Sequence, residues 1–389
     1  MLEPNGNQPL LSVRDLRVEF PQRRGTLTAL QGVSFDVMPG EILGIVGESG
    51  AGKSMTGSSI IGLLEPPGRI SGGQILLHGK DLTQLSQAEL RRIRGRDIGA
   101  IFQDPLTSLN PLYTVGEMLV ETILTHDPIG KTEARKRALT LLDAVGIPAA
   151  EERIDHYPHQ FSGGMRQRVV IALALCTNPK LVIADEPTTA LDVSVQAQII
   201  KLLQKLCKEH GTAVVLVTHD MGVIAETADR VCVMYAGRIV EIGPVRELVV
   251  APHHPYTKGL MAAIPKIGAK NLLLAQIEGT MPRLDSIPTG CPFHPRCLER
   301  MDICEHEPPG LVKVGQGKNK QAEAACHIFT SQATGGKPKG TSMTAGSKAI
   351  KSTRVAAKKD QPKAKARPKA AGTQKKKATS NKSTSRSRA

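Results

Sequence analysis

The chain has 389 residues, of which 40% are hydrophobic and 22% charged, so it is long enough for one large domain or two ordinary ones. Its net charge of +15 lies at one end: residues 331–389 hold seventeen Lys and Arg against one acid, Asp360, which leaves the other 330 residues at −1. The sequence shows no signal-like start and no run of about eighteen apolar residues, so we expect a soluble, cytoplasmic protein with reduced thiols.

Three short apolar runs in the first 220 residues are rich in β-branched side chains and predict buried strands. They are "EILGIVG" (41–47), "KLVIADE" (180–186) and "AVVLVTHD" (213–220). Each is followed by a segment that is compatible with a helix. Strands that alternate with helices favour an α/β fold with a parallel sheet.

Between the first two of these strands, residues from about 86 to 165 predict a helical subdomain. The segments "SQAELRRIRGR" and "KTEARKRALTLLDAVG" are polar and contain strong helix formers. The second segment ends at Gly146, and glycine commonly terminates helices. We therefore expect this subdomain to lie inside a larger domain that spans residues 1–245.

Residues 246–330 form a C-terminal extension that is rich in proline and poor in aromatic side chains. Small units with so weak a core often depend on a metal or another cross-link. Residues 331–389 are mainly Lys, Ala, Ser, Thr and Gly, which predicts a disordered basic tail. A solvated tail, a charge-driven contact with nucleic acid and a contact with anionic lipid all fit this composition.

The first motif with clear chemistry is "GESGAGKS" (47–54), which matches the pattern G-x-x-x-x-G-K-[ST]. Its glycines let several backbone N–H groups point at one anion, Lys53 adds a charge for the outer phosphates, and Ser54 offers a hydroxyl to Mg²⁺. The motif follows a predicted strand and precedes a predicted helix, whose positive end would face the phosphates. An ordinary glycine-rich turn is the alternative.

The segment "LVIADEP" ends the second predicted strand in two carboxylates. Asp185 would lie beside the phosphate loop and hold Mg²⁺, directly or through water, and Glu186 would polarise an attacking water. An acidic pair after a strand also commonly caps the next helix. The presence of a phosphate loop earlier in the chain favours Mg²⁺ binding by Asp185 and polarisation of water by Glu186 over helix capping.

The segment "FSGGMRQR" places Ser162, Gly163 and Gly164 at the start of another predicted helix. A hydroxyl and bare backbone N–H groups at a helix start can bind a phosphate, and they can also serve only as an N-cap. Two phosphate-binding surfaces in one chain pose a geometric question that these motifs alone do not answer.

In order along the chain, "GESGAGKS", "IFQDP", "FSGGMRQR", "LVIADEPTTALD" and "LVTHD" resemble the ATPase subunits of ABC transporters, over about residues 10–330. The resemblance implies the P-loop NTPase fold of the ABC cassette, with a RecA-like parallel sheet core and a helical subdomain. It also implies that two cassettes face head to tail, so that the Ser-Gly-Gly of one closes on the ATP held by the other.

The resemblance also assigns roles to single residues. Catalytic roles would fall to Lys53, Glu186 and His219, and Mg²⁺ would be held by Ser54, Gln103 and Asp185. The complete nucleotide-binding set would be Phe20, Gly47, Ser49, Gly50, Ala51, Gly52, Lys53, Ser54, Met55, Gln103, Ser162, Gly163, Gly164, Asp185 and Asp192.

Within this set, Gln103 would also contact the membrane partner, Asp192 would lie on the loop that crosses the dimer, and His219 would contact the γ-phosphate. A lone histidine after a strand is also typical of a turn or cap. Phe20 would stack on the adenine ring or pack as a strand core residue. In this resemblance, Ser162, Gly163 and Gly164 would form the signature motif of the family, and the motif departs from the commoner LSGGQ at Phe161 and Met165.

The segments "HHPYTKGLMAAIP" and "IPTGCPFHPRC" narrow the resemblance to the ATPases of oligopeptide, dipeptide and nickel importers. This implies ATP hydrolysis that powers import through a separate ABC permease, at the cytoplasmic face of the bacterial inner membrane. The implied partners are a second ABC ATPase subunit, two transmembrane permease subunits and an extracytoplasmic solute-binding protein. The alternative is a soluble ABC ATPase that acts on nucleic acid or ribosomes.

The seven cysteines fall into two groups. Three of them lie singly in apolar segments, as inert core residues do: Cys176, Cys207 and Cys232. The other four are spaced C-x5-C-x6-C-x21-C: Cys291, Cys297, Cys304 and Cys326. This spacing matches neither the usual zinc pattern nor the bacterial ferredoxin pattern, although four thiolates favour zinc or iron–sulfur over harder ions. The resemblance implies a [4Fe–4S] cluster, with zinc and unliganded thiols as alternatives.

Overall fold

The structure is a computed structural model, and it describes residues 8–23, 25–188, 191–264, 276–315 and 321–333. The predicted basic tail, apart from its first three residues, lies outside the described residues. Every helix in the described part of the chain is too short or too polar to cross a lipid bilayer.

The strands of the described residues form a larger and a smaller sheet. In chain order they are β1 (Leu11–Gln22), β2 (Gly25–Val37), β3 (Ile42–Val46), β4 (Arg69–Leu77), β5 (Lys80–Asp81), β6 (Ile98–Ile101), β7 (Leu181–Asp185), β8 (Ala213–Val217), β9 (Arg230–Tyr235), β10 (Arg238–Pro244), β11 (Val312–Val314) and β12 (Ala322–Ala324). The larger sheet has the order β11-β12-β10-β9-β3-β8-β7-β6, and the smaller antiparallel sheet has the order β2-β1-β4-β5.

The helices pack around these two sheets. In chain order they are α1 (Lys53–Ile60), α2 (Gln87–Ile93), α3 (Pro105–Ser108), α4 (Val115–His126), α5 (Lys131–Ala144), α6 (Ala150–Arg153), α7 (Gly163–Leu175), α8 (Val193–His210), α9 (Met221–Thr227), α10 (Val245–Val250), α11 (Pro255–Ala262) and α12 (His327–Ala333).

The centre of the larger sheet is parallel, as the sequence predicts. Strand β3 pairs in parallel with both β8 and β9, and β7 joins β8 to the edge strand β6. Alternate residues of β3 face two different hydrophobic cores: Ile42 and Val46 pack into one, and Leu43 and Ile45 into the other. The α/β prediction and its three strands are thus confirmed.

The predicted helical subdomain contains α2 to α6, but it also contains a strand that the sequence prediction missed. Strand β6 lies inside the range 86–165 and extends the parallel sheet beside β7. Helix starts are well specified there, because Ser86 with Glu89 and Thr114 with Glu117 form capping boxes. Helix α5 ends at Ala144, and Gly146 follows with a φ of 77°, as predicted.

The C-terminal extension is joined to strand β10 of the larger sheet by main-chain and side-chain contacts. Strand β12 pairs with β10, so the extension continues the larger sheet instead of forming a separate core. The buried Glu241 carboxylate on β10 accepts hydrogen bonds from the backbone N–H groups of His253 and His254, over 2.8 and 3.0 Å. These bonds fix the chain just before α11.

Candidate functional site

The segment "GESGAGKS" forms the loop between β3 and α1, in the strand–loop–helix context that the motif requires. Gly47 has a φ of 152°, and a Cβ there would collide with the backbone oxygen of Met234. Gly52 has a φ of 101°, and a Cβ there would lie 2.7 Å from Leu30 Cδ2. Packing as well as backbone geometry therefore demands glycine at both ends of the loop.

Lys53, the first residue of α1, has its side chain folded back into this loop. Its buried ammonium donates to the carbonyl oxygens of Gly47 and Glu48, over 3.0 and 3.1 Å. Burial lowers the pKa of Lys53, and the nearby carboxylates of Glu186 and Asp185 oppose that shift. A cation held in this way lies where an anion bound by the loop would meet it.

The next residue, Ser54, meets the end of β7. Its hydroxyl donates to Oδ1 of Asp185 over 3.0 Å. Burial raises the pKa of Asp185, which means that the ionised carboxylate lacks sufficient solvation of its own. A hydroxyl and an under-solvated carboxylate are oxygen donors that fit a hard divalent cation such as Mg²⁺.

Glu186 lies at the centre of the predicted catalytic residues. The Gln103 amide donates to its Oε2 over 3.1 Å, and His219 Nδ1 lies 3.2 Å from its Oε1. Its backbone has a φ of 45°, an unfavourable conformation for a residue with a side chain, and its N–H donates to the Val217 carbonyl over 2.8 Å. The structure thus brings together side chains from positions 103, 186 and 219.

The Ser-Gly-Gly segment caps α7, as one of the two interpretations expects. The Ser162 hydroxyl accepts from the backbone N–H of Met165 over 3.4 Å. A Cβ added at Gly164 would lie 2.9 Å from Val195 Cγ1, so packing within the chain explains this glycine. A Cβ added at Gly163 would come no closer than 3.9 Å to Leu191, so packing against the residues that the structure describes does not explain Gly163.

The other predicted nucleotide-binding residues occupy mixed environments. Ser49 and Gly50 are exposed in the phosphate loop, Ala51 is fully buried, and Met55 is half-buried on α1. Asp192 is the N-cap residue of α8, but its exposed side chain makes no capping hydrogen bond.

Phe20 lies on β1 opposite Leu27 of β2, partly buried against Gly68. This environment fits both interpretations of Phe20, and its stacking on adenine stays a prediction.

The four clustered cysteines are free thiols in the extension. Burial raises the pKa of Cys291 and of Cys326 to about 11, and the other three thiols of the set add to the shift at Cys326. The backbone N–H of Cys291 donates to the Cys304 carbonyl over 2.8 Å. In the described part of the chain, however, no three His, Cys, Asp or Glu side chains are close enough to hold a metal ion. The donor types fit zinc or iron–sulfur chemistry, and the geometry gives neither any support.

Two contacts to the phosphate loop were not predicted from the sequence. The backbone N–H of Glu48 donates to Tyr256 Oη over 2.9 Å, and its carboxylate accepts from Arg296 Nη1 over 3.0 Å. Tyr256 and Arg296 belong to "HHPYTKGL" and "CPFHPRC", segments whose sequence indicates an importer ATPase but no contact with the phosphate loop. A role for them in the loop becomes visible only in three dimensions.

Two family models match this chain. The model described as ABC transporter matches residues 30–189, and the model described as the C-terminal region of oligopeptide/dipeptide transporters matches residues 240–304. Among solved structures, the dimeric post-hydrolysis state of the ATP-binding cassette MJ0796 bound to ADP and Pi is 32% identical, with a TM-score of 0.55. That match covers 61% of this chain and 99% of the cassette.

Curated relatives are similar over most of their length. The dipeptide transport ATP-binding protein DppD of Bacillus subtilis (strain 168) is 52% identical over 304 residues, which cover 78% of this chain and 91% of the relative. The oligopeptide transport ATP-binding protein OppD of Escherichia coli (strain K12) is 50% identical over 300 residues, or 77% and 89% of the two chains. Motifs, fold and relatives agree: the chain is an ATPase that belongs to the ABC transporter family, in the group of oligopeptide and dipeptide transport ATP-binding proteins.

Proposed function

We propose that this chain binds and hydrolyses ATP to power the import of peptides through a separate ABC permease. The observation that carries the proposal is the convergence of Ser54, Asp185, Gln103, Glu186 and His219 at one end of the parallel sheet, beside the phosphate loop. The relatives named as dipeptide and oligopeptide transport ATP-binding proteins support the peptide cargo.

In this proposal, the phosphate loop and the start of α1, from Gly47 to Met55, hold the phosphates of ATP, and Lys53 neutralises part of their charge. Ser54, Asp185 and Gln103 would hold Mg²⁺. The bound ion would neutralise charge on the phosphate oxygens. The Glu186 carboxylate orients a water molecule and accepts its proton, and His219 holds that carboxylate in place and reaches the γ-phosphate.

A second ATPase subunit completes the site. Ser162, Gly163 and Gly164 of one subunit would close on the nucleotide held by the other, and Asp192 would lie on the loop between them. The open space around Gly163 supports this arrangement, because no neighbour among the described residues requires a glycine there. The dimeric MJ0796 cassette supports a two-subunit arrangement by fold similarity.

The region around Gln103 offers a contact surface for a permease. Large apolar side chains are exposed there at Phe102, Leu106, Leu112 and Tyr113, and Leu112 is 80% exposed. Exposed apolar side chains grouped in this way are typical of protein contacts. We infer that permease subunits contact this surface, that a solute-binding protein delivers the peptide, and that the chain works at the cytoplasmic face of the bacterial inner membrane.

The alternative, a soluble ABC ATPase that acts on nucleic acid or ribosomes, is not supported by the relatives or by the peptide-transporter match over residues 240–304. Purification of the tagged chain from detergent-solubilised membranes tests the choice. Two co-purifying integral membrane subunits support the importer. Co-purification with ribosomes or nucleic acid, and without membrane subunits, would overturn it.

We further propose three regions: an ATPase domain over 1–245, an extension over 246–330 and a basic tail over 331–389. The four thiols Cys291, Cys297, Cys304 and Cys326 would hold a [4Fe–4S] cluster, with zinc as the alternative. That proposal rests on the donor types alone, because thiolates favour zinc or iron–sulfur over harder ions. No step of ATP hydrolysis depends on it.

The tail would add only a weak, charge-driven contact with anionic lipid or nucleic acid. Truncation after Ala333, the last residue of α12, should leave ATP hydrolysis and transport unchanged. A collapse of transport in the truncated chain would show that the tail is needed.

A further inference from the structure

The C-terminal extension holds one residue of the phosphate loop by both its backbone and its side chain. Glu48 donates its backbone N–H to Tyr256 Oη over 2.9 Å and accepts a hydrogen bond from Arg296 Nη1 at Oε2 over 3.0 Å. These partners lie 208 and 248 positions further along the chain. Neither contact is required by any of the five nucleotide motifs, so the two residues need a separate explanation.

The guanidinium of Arg296 is fixed by more bonds than an anchor for the extension requires. Besides Glu48, its Nη1 donates to Tyr235 Oη over 3.3 Å. Its remaining N–H groups donate over 2.9 to 3.4 Å to three consecutive backbone carbonyls, those of Ile277, Glu278 and Gly279. The side chain is only 8% exposed. All five donors of the planar fork are therefore in use, an arrangement that lysine cannot reproduce.

Tyr256 is equally well fixed. Its side chain is fully buried, and its ring packs against Tyr235 and Phe293 with centroid distances of 4.8 and 5.4 Å. Burial raises the pKa of the Tyr256 hydroxyl, so it keeps its proton at physiological pH. The oxygen of this rigid, neutral hydroxyl accepts the Glu48 N–H, and the direction of one peptide group in the loop is thereby set.

Glu48 connects these contacts to the phosphate lysine. The carbonyl oxygens of Gly47 and Glu48 are the two acceptors that hold the Lys53 ammonium. A shift of Glu48 would therefore displace an acceptor of Lys53 and rotate the peptide groups beside it. Hydrogen bonds thus connect Tyr256 and Arg296 of the extension, through Glu48, to the Lys53 ammonium.

We propose that Arg296 and Tyr256 are positioning residues for ATP, which fix Glu48 and, through it, hold the loop from Gly47 to Lys53 in the conformation that accepts phosphates. The proposal rests on the proposed ATP-binding function and deepens it. It gives the segments "HHPYTKGL" and "CPFHPRC" of the extension a role in ATP binding, through Tyr256 and Arg296. A purely structural role, in which Arg296 only fastens the extension, makes different predictions.

The test measures binding of radiolabelled ATP to the full-length chain, and KM and kcat of the assembled transporter. Arg296→Gln should weaken ATP binding about tenfold, or about 1.4 kcal/mol, and Tyr256→Phe about fivefold, with kcat changed less than about twofold at saturating ATP. Arg296→Lys should not restore binding. Lys258→Ala removes an exposed ion pair with Glu299 within the extension and should leave ATP binding unchanged.

A double-mutant cycle separates positioning from stability. Glu48→Gln combined with Arg296→Gln should weaken ATP binding no more than either change alone, because both remove one contact. Strictly additive losses, or variants that lower the melting temperature while binding ATP normally, would overturn the proposal. Tyr256→Phe conserves the ring and serves as the test if Arg296→Gln does not fold. A wild-type chain that binds no ATP would refute the proposed function itself.

Discussion

The side-chain amide of Gln103 donates to Oε2 of Glu186 over 3.1 Å, and His219 meets the other carboxylate oxygen at 3.2 Å. The hydrogen bond from Gln103 joins a residue next in sequence to the exposed Phe102 to the proposed catalytic base. A displacement of Gln103 by a bound permease would change the orientation of the Glu186 carboxylate. In the proposed mechanism, this hydrogen bond would couple the proposed permease-contact surface to the attack of water.

Replacement of the proposed base gives the first prediction. Glu186→Gln conserves size and the contacts with Gln103 and His219 but cannot accept a proton. We expect ATP binding to persist and hydrolysis to fall about 10²- to 10⁴-fold, with a closed dimer that accumulates in ATP. Phosphate release and size-exclusion chromatography measure the two effects. Glu226→Gln, an exposed change on α9, is the control, and near-normal turnover of Glu186→Gln would remove Glu186 from this role.

Substitution by alanine should have different effects on stability at Gly163 and at Gly164. A Cβ at Gly163 has 3.9 Å of room, so Gly163→Ala should fold normally yet lower the ATPase rate about tenfold or more, because the methyl group would meet the nucleotide of the partner subunit. Gly164→Ala would press on Val195 and should lower the melting temperature as well. Normal ATPase activity of the assembled Gly163→Ala transporter would contradict a site shared between subunits.

The cysteine proposal predicts a colour and a metal content. Anaerobically purified protein should absorb visible light broadly and contain about four irons per chain. Cys297→Ser should lose both, whereas the core variant Cys207→Ser should keep them. A colourless protein with about one zinc per chain would support the zinc alternative. A colourless protein without metal would show that the four thiols bind no metal.

Acid should destabilise the fold through His254. Burial lowers the pKa of this ring from 6.5 to about 3, so the folded chain keeps it neutral while the unfolded chain takes up a proton below about pH 6.5. The stability from this group is full above that pH and falls toward pH 3 by about 1.4 kcal/mol per unit, or about 2 kcal/mol at pH 5.

His254→Asn keeps an acceptor for the Tyr256 N–H but does not titrate. Urea unfolding at pH 8 and pH 5 should show a smaller loss of stability in this variant than in the wild type. Equal losses in the two proteins would show that other groups govern the response to acid.

The sequence could predict the elements that depend on local patterns. Strands β3, β7 and β8 are continuous apolar runs, and the phosphate loop combines a fixed glycine spacing with a strand before it and a helix after it. Such signals need only neighbouring residues. Ser54 could be paired with Asp185 because the ends of parallel strands meet at one edge of a sheet.

The remaining features depend on contacts between distant residues. Strand β6 has four residues and includes Gly99, so no alternation distinguishes it from the helical segments around it. Strand β12 has three residues and finds its partner β10 about eighty positions away. The bond from Arg296 to Glu48 spans 248 positions, and neither residue carries a local signal for the other.

Peptide-dependent ATP hydrolysis by the reassembled transporter tests the central claim most directly. The chain, its partner ATPase and the permease are placed in lipid vesicles, and phosphate release and uptake of a labelled peptide are measured with and without peptide-loaded binding protein. We predict that loaded binding protein stimulates hydrolysis and that peptide accumulates, both of which Glu186→Gln abolishes. Hydrolysis that does not respond to peptide, or uptake that proceeds without this chain, would contradict the account.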